Sequence, residues 1–138
     1  MNKDNIIGGW KLVECTMKDC KGNIHYPYGK TPIGILTYTI DGFMSANIIA
    51  SRGRNSLIAE GISLNAITEG KAAYVSYSGT YTLFEKSVVH HVKVALIPEW
   101  IGGDQKRNME FKNNCLILST DLILEDGSIQ SFSLEWKR

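Results

Sequence analysis

About eight stretches of this 138-residue chain alternate apolar and polar side chains with a period of two, and short turn clusters separate them. Successive side chains of a strand point to opposite faces, so this pattern describes half-buried strands and excludes a helical bundle. The stretches are GWKLVECTMKD, IGILTYTI, FMSANIIAS, YVSYSGTYTLFE, VVHHVKVALI, QKRNMEF, CLILST and SIQSFSLEWK. Asp41-Gly42, Glu85-Lys86-Ser87, Asn113-Asn114 and Glu125-Asp126-Gly127 supply the reversals, the first read as a two-residue type I′ hairpin turn. Laid flat, sequential antiparallel strands would expose two edges, which closure into an up-and-down barrel removes. An eight-stranded barrel is filled by its side chains or holds one small ligand.

Two segments break the alternation. Residues 19–32 carry DCKGN and YPYGKTP and are expected to form a structured loop, with Tyr26 and Tyr28 flanking Pro27 at a barrel mouth. Residues 52–73 have Ala, Ile and Leu spacing that suits one short helix between strands three and four, interrupted by Gly61 and Gly70, as a lid or plug. The expected fold class is therefore all-β, an up-and-down antiparallel barrel of about eight strands with one short helix. Residues 4–8 read as a short turn or a single helical turn leading into strand one.

At 43% hydrophobic content, residues 1–138 suit a single domain able to bury about two-thirds of its unfolded surface. A formal net charge of +1 and the absence of a basic stripe exclude nucleic acid as an electrostatic partner, and Arg52 and Arg54 suit a solvated loop. No apolar run opens the chain and none reaches the ~18 residues of a membrane helix, so a cytoplasmic protein without a membrane partner is expected. Cys15, Cys20 and Cys115 are odd in number and lack metal-ligand spacing, which points to free thiols and no metal. GGDQK at 102–106 lacks the phosphate-loop pattern, and no cofactor is expected.

The unusual chemistry lies in residues 88–111, two strands joined by a Pro- and Gly-punctuated corner that carries Trp100. Parity places Gln105, Arg107, Met109 and Phe111 on one face, and Lys106, Asn108, Glu110 and Lys112 on the wet one. An inward guanidinium needs an anionic or carbonyl partner, which is either a structural carboxylate such as Glu14 or a ligand. His90 groups with Val92, Val94 and Leu96, whereas His91 groups with Lys93, Ala95 and Ile97, so the pair cannot clasp one metal. On strand one, Trp10, Leu12 and Glu14 alternate with Lys11, Val13 and Cys15. Tyr77, Gly79, Tyr81 and Leu83 share a face, as do Phe132, Leu134 and Trp136.

Gly8-Gly9-Trp10 at the first strand is similar to the G-x-W signature of lipocalins. With YPYG at 26–29, TYTIDGFMSA at 37–46, YSGTY at 77–81, HHV at 90–92, PEWIGGDQKR at 98–107 and Trp136, nearly the whole chain resembles the bacterial and fungal lipocalin-like domain family. That resemblance implies a calyx-like barrel with a small hydrophobic ligand in its cavity, and Trp10 packed at the closed end. The chain departs from secreted lipocalins in having no signal peptide, Thr-Asp-Tyr pattern or disulfide. Related domains occur beside biosynthetic enzymes, which keeps a cyclase or isomerase role open.

Three readings follow. The first is a binding module for one small hydrophobic or amphipathic molecule, in which Arg107, Gln105, Tyr38, Tyr77, Tyr81, Trp100 and Met109 contact the ligand. In the second, a cofactor-free cyclase or isomerase, His90 or Glu14 moves a proton while Arg107 and the tyrosines hold a developing enolate. The third is a filled barrel with a structural role, its tyrosines and His90 being satisfied core residues. Self-association into a homodimer is left open.

Overall fold

In the computed structural model, which describes residues 5–50, 74–123 and 126–138, the alternating stretches become one antiparallel sheet. Its strands are β1 (Gly8–Lys18), β2 (Ile24–His25), β3 (Ile33–Tyr38), β4 (Phe43–Ile49), β5 (Tyr74–Leu83), β6 (Ser87–Ala95), β7 (Asp104–Lys112), β8 (Cys115–Ile123) and β9 (Ile129–Lys137). Eight of these pair in sequence order and β9 returns to β1, from Lys11 opposite Lys137 to Lys18 opposite Ser131, closing the barrel. The ninth, β2, is a two-residue strand that pairs with the end of β1 inside the segment expected to be loop. Asp19 makes that return possible, because its carboxylate accepts the backbone N–H groups of Lys21 and Asn23, each at 2.9 Å.

The fold class needs one correction: the described residues contain no α-helix, so the short helix between strands three and four is not supported. The segment to which it was assigned, 52–73, lies outside the described residues. A 3-10 turn, Pro98–Trp100, forms the corner between β6 and β7.

The β3–β4 hairpin has the expected register, Tyr38 opposite Met44, but a different turn. Only Gly42 takes a positive φ, at 97°; its N–H donates to the Thr39 carbonyl and the Thr39 N–H to the Phe43 carbonyl. This is the three-residue loop with a glycine bulge rather than a two-residue type I′ turn, which needs two positive φ values. Asn113 and Asn114 do supply two, at 54° and 65°, between β7 and β8. A Cβ at Gly42 would meet nothing within 4 Å, so only backbone strain opposes a side chain there. Gly42→Val should lower stability by about 1 kcal/mol or more, measured by thermal unfolding.

Parity predicts the inward face wherever the ladders are regular. It slips at two bulges. On β1, Leu12 pairs with Trp136 and Glu14 with Glu135, so Val13 is the extra residue and the inward position passes from Glu14 to Cys15. On β6, Gly79 pairs with Val92 and Ser78 with Val94, which makes Lys93 extra and leaves Val94 59% exposed instead of beside His90.

Candidate functional site

The barrel is half filled. Toward the start of β1, Trp10, Leu12, Met44, Val88, Met109 and Leu116 are buried against one another. One or two residues further along the same strands the interior opens into a cavity of about 420 Å³. Leu36, Ala46, Ile48, Val75, Leu118 and Leu134 form its apolar wall, with Phe132, Trp100 and Trp136 as aromatic surfaces. His90, Gln105, Arg107 and Tyr77 bring polar atoms to the same space. Ladder register brings three of them together: Gln105 lies opposite His90, and Arg107, the next inward residue of β7, lies opposite Val88.

Of the residues expected to bind a ligand, Arg107, Gln105, Tyr77 and Trp100 line the cavity. Tyr38, Tyr81 and Met109 point inward but do not line it, because two residues along a strand is a step of about 6–7 Å and carries each into the packed half. Tyr81 instead donates its hydroxyl to the Thr39 carbonyl at 2.7 Å. Glu14 is displaced from the inward position by the Val13 bulge and is not among the residues that line the cavity. Cys15 takes its place at the wall, where burial, followed by the charge of Glu14, pushes the thiol up to about 12. It is a neutral S–H, not a nucleophile. Tyr28 from the 19–32 loop also reaches the cavity, and desolvation raises its hydroxyl to about 12.

Arg107 is half-buried. One N–H of each terminal nitrogen is used, to the Lys106 carbonyl and to Gln105 Oε1, both at 2.9 Å, and no carboxylate pairs with it among the described residues. Its remaining donors have no partner among the described residues. His90 is the reverse case: 1% exposed, with Tyr38 Oη 2.6 Å from Nε2 and Tyr77 Oη 2.7 Å from Nδ1. Burial, and after it the Arg107 charge, draw its pKa down to about 3, so the ring is neutral.

That neutrality has a stability consequence. An unfolded histidine titrates near about 6.5, so below that pH the unfolded chain binds a proton that folded His90 refuses, and stability must fall on acidification. The expected loss is about 2 kcal/mol between pH 7 and pH 5, read from urea unfolding, and His90→Gln should flatten it.

His91 faces outward. Its Nε2 lies 2.8 Å from Thr82 Oγ1 and its Nδ1 2.8 Å from Asp104 Oδ1. The hydroxyl-imidazole-carboxylate connectivity is that of a nucleophilic triad, which the linear sequence does not reveal. None of the three lines the cavity.

A family model described as a lipocalin-like domain matches residues 7–138. The chain belongs to the lipocalin-like domain family. This lipocalin-like protein is 32% identical over 75 residues, 47% of its length and 67% of the relative's, to the 4'-hydroxy-3'-methoxypropiophenone carrier protein of Aspergillus oryzae. Among solved structures, an uncharacterized protein from Bacteroides eggerthii superposes with a TM-score of 0.44 at 11% identity, covering 93% of this chain and 98% of that one. No helix among the described residues of the lipocalin-like protein is long and apolar enough to cross a membrane.

Proposed function

We propose that this lipocalin-like barrel is a small-molecule binding protein that holds one partly apolar, polar-ended ligand in its cavity, with Arg107 at the polar end. The observation that carries the reading is the meeting, in about 420 Å³, of an apolar and aromatic wall with a guanidinium that has no carboxylate partner among the described residues. Similarity to a carrier protein whose name specifies an aryl ketone supports a ligand of that general kind. The free thiols of Cys15, Cys20 and Cys115 are in keeping with a cytoplasmic setting.

The alternative, a cofactor-free cyclase or isomerase in the same cavity, has less behind it. Both nitrogens of His90 are bonded to tyrosine hydroxyls, and Glu14 is absent from the lining.

Arg107→Met tests the reading, since it keeps the apolar stem and removes only the charge. It should leave thermal stability unchanged or slightly higher and weaken an aryl carboxylate by about 2–3 kcal/mol in calorimetric titration. A stability loss of about 3–5 kcal/mol would instead make Arg107 a structural ion-pair member. Failure of a panel of aryl ketones and aryl carboxylates to bind saturably would sink the binding reading.

A further inference from the structure

The hydrogen-bond valence of the Tyr38–His90–Tyr77 chain says what the ligand's polar end is made of. A neutral imidazole donates from one nitrogen and accepts at the other, so one tyrosine donates to the ring and the other accepts from it. The accepting tyrosine keeps a hydroxyl hydrogen that needs an acceptor elsewhere. For both tyrosine hydroxyls the ring is the only hydrogen-bond partner among the described residues. Their surroundings differ: Tyr38 is 1% exposed and does not line the cavity, whereas Tyr77 does line it. An orphaned hydroxyl on Tyr38 would be buried without remedy, while one on Tyr77 meets space that a ligand can fill.

Resting on the binding reading above, we propose that Tyr38 donates to Nε2 and fixes His90 as the Nδ1–H tautomer, that Nδ1–H donates to Tyr77, and that Tyr77 therefore offers its own hydroxyl hydrogen to the cavity, selecting a ligand end that carries only acceptor oxygens, a ketone carbonyl or a carboxylate.

The neighbouring polar groups have the same sense. Gln105 Oε1 is taken by Arg107, which leaves the amide N–H groups to face outward from that bond. Arg107 itself can only donate. Trp136 lines the cavity, and its Nε1–H is buried with no acceptor among the described residues. Hydroxyls on Tyr28 and Thr120 adapt to either role. Asp121 is the one carboxylate among the described lining residues; it is exposed and already takes the Ser131 hydroxyl at 2.8 Å. A ligand alcohol or amine at the Tyr77 end would bring a hydrogen into a site built of donors and lose a bond, as a carbonyl or carboxylate would not.

Calorimetric titration with four naphthalenes substituted at the same carbon by carboxylate, acetyl, hydroxymethyl or aminomethyl separates the outcomes. The carboxylate and the ketone should bind at least about ten-fold more tightly than the alcohol, with the amine weakest, and Tyr77→Phe should erase the preference of ketone over alcohol. Saturable binding of all four with equal affinity, or with the amine tightest, overturns this inference and leaves the binding reading standing. Binding by none of them removes both. Long-range nitrogen-15 NMR of the unaltered protein decides the tautomer directly, even where Tyr77→Phe fails to fold: a protonated Nδ1 and a bare Nε2 are expected, and the reverse assignment overturns the proposal.

Discussion

Replacing Gly79 by alanine is expected to cost about 3 kcal/mol or more of folding free energy, although it adds a single methyl group to a strand. The reason is the bulge on β6, where Lys93 is the extra residue between the Gly79–Val92 and Ser78–Val94 pairs. There the two strands run so close that a Cβ on Gly79 would overlap the His91 carbonyl oxygen and sit 2.9 Å from its carbon and 3.0 Å from Lys93 N. All three are backbone atoms, so no rotamer relieves the overlap. Nor can the bulge drift freely, because Val92 donates its N–H to Gly103 and accepts that of Gly102, each at 2.9 Å, across the β6–β7 corner. The strands must therefore separate, breaking ladder bonds on both sides of His90 and pulling its ring from Tyr38 and Tyr77. Urea unfolding of Gly79→Ala measures the loss, and wild-type stability would show that the close approach does not hold in solution.

The same bulge marks where sequence reasoning stops. Alternation of Tyr77, Gly79, Tyr81 and Leu83 with serines and threonines reports a half-buried strand, and the outer set indeed bonds across strands, Ser45 to Ser78 at 2.8 Å and Ser76 to Asn47 at 2.7 Å. Strand count and turn positions follow from such local signals because each is set within a few residues, and closure follows from the two edges that those strands would otherwise expose. A bulge is one extra residue with no compositional mark of its own in VECTM or HHVKV, yet it moves Glu14 off the wall, brings Cys15 onto it and turns Val94 outward. Parity is also silent about depth along the barrel axis, which is why Tyr38, Tyr81 and Met109 were legible as inward but not as lying beneath the cavity. Gln105 and Arg107 were legible because a wet-face pattern on the alternate positions of β7 left them no other side. The pairing of His90 with Tyr38, 52 residues away, depends on closure of the whole sheet and has no local trace.

Trp10→Ala should destabilise the protein by about 3–5 kcal/mol while leaving the cavity's affinity intact in molecules that fold. Trp10 is 3% exposed, and its Nε1–H donates to the Ile6 carbonyl at 2.8 Å, so the ring ties the approach to β1 onto the barrel base. Phe111 packs at 6.2 Å between ring centroids, and the Arg138 guanidinium lies 4.1 Å above the indole. That guanidinium also donates to the Ile7 and Asn5 carbonyls at 2.7 and 2.8 Å, so the first and last strands of the barrel are fastened through one tryptophan. Alanine removes the packing, orphans the Ile6 acceptor and leaves Arg138 without its ring, at the point where β1 and β9 begin their ladder at Lys11 and Lys137. Trp10 does not line the cavity, so the cavity wall itself is untouched. Thermal unfolding and calorimetry on the same sample distinguish the two effects. Normal melting combined with lost ligand binding would place Trp10 in the site, whereas the expected early melting with retained affinity makes it the lock that holds the barrel shut beneath the ligand.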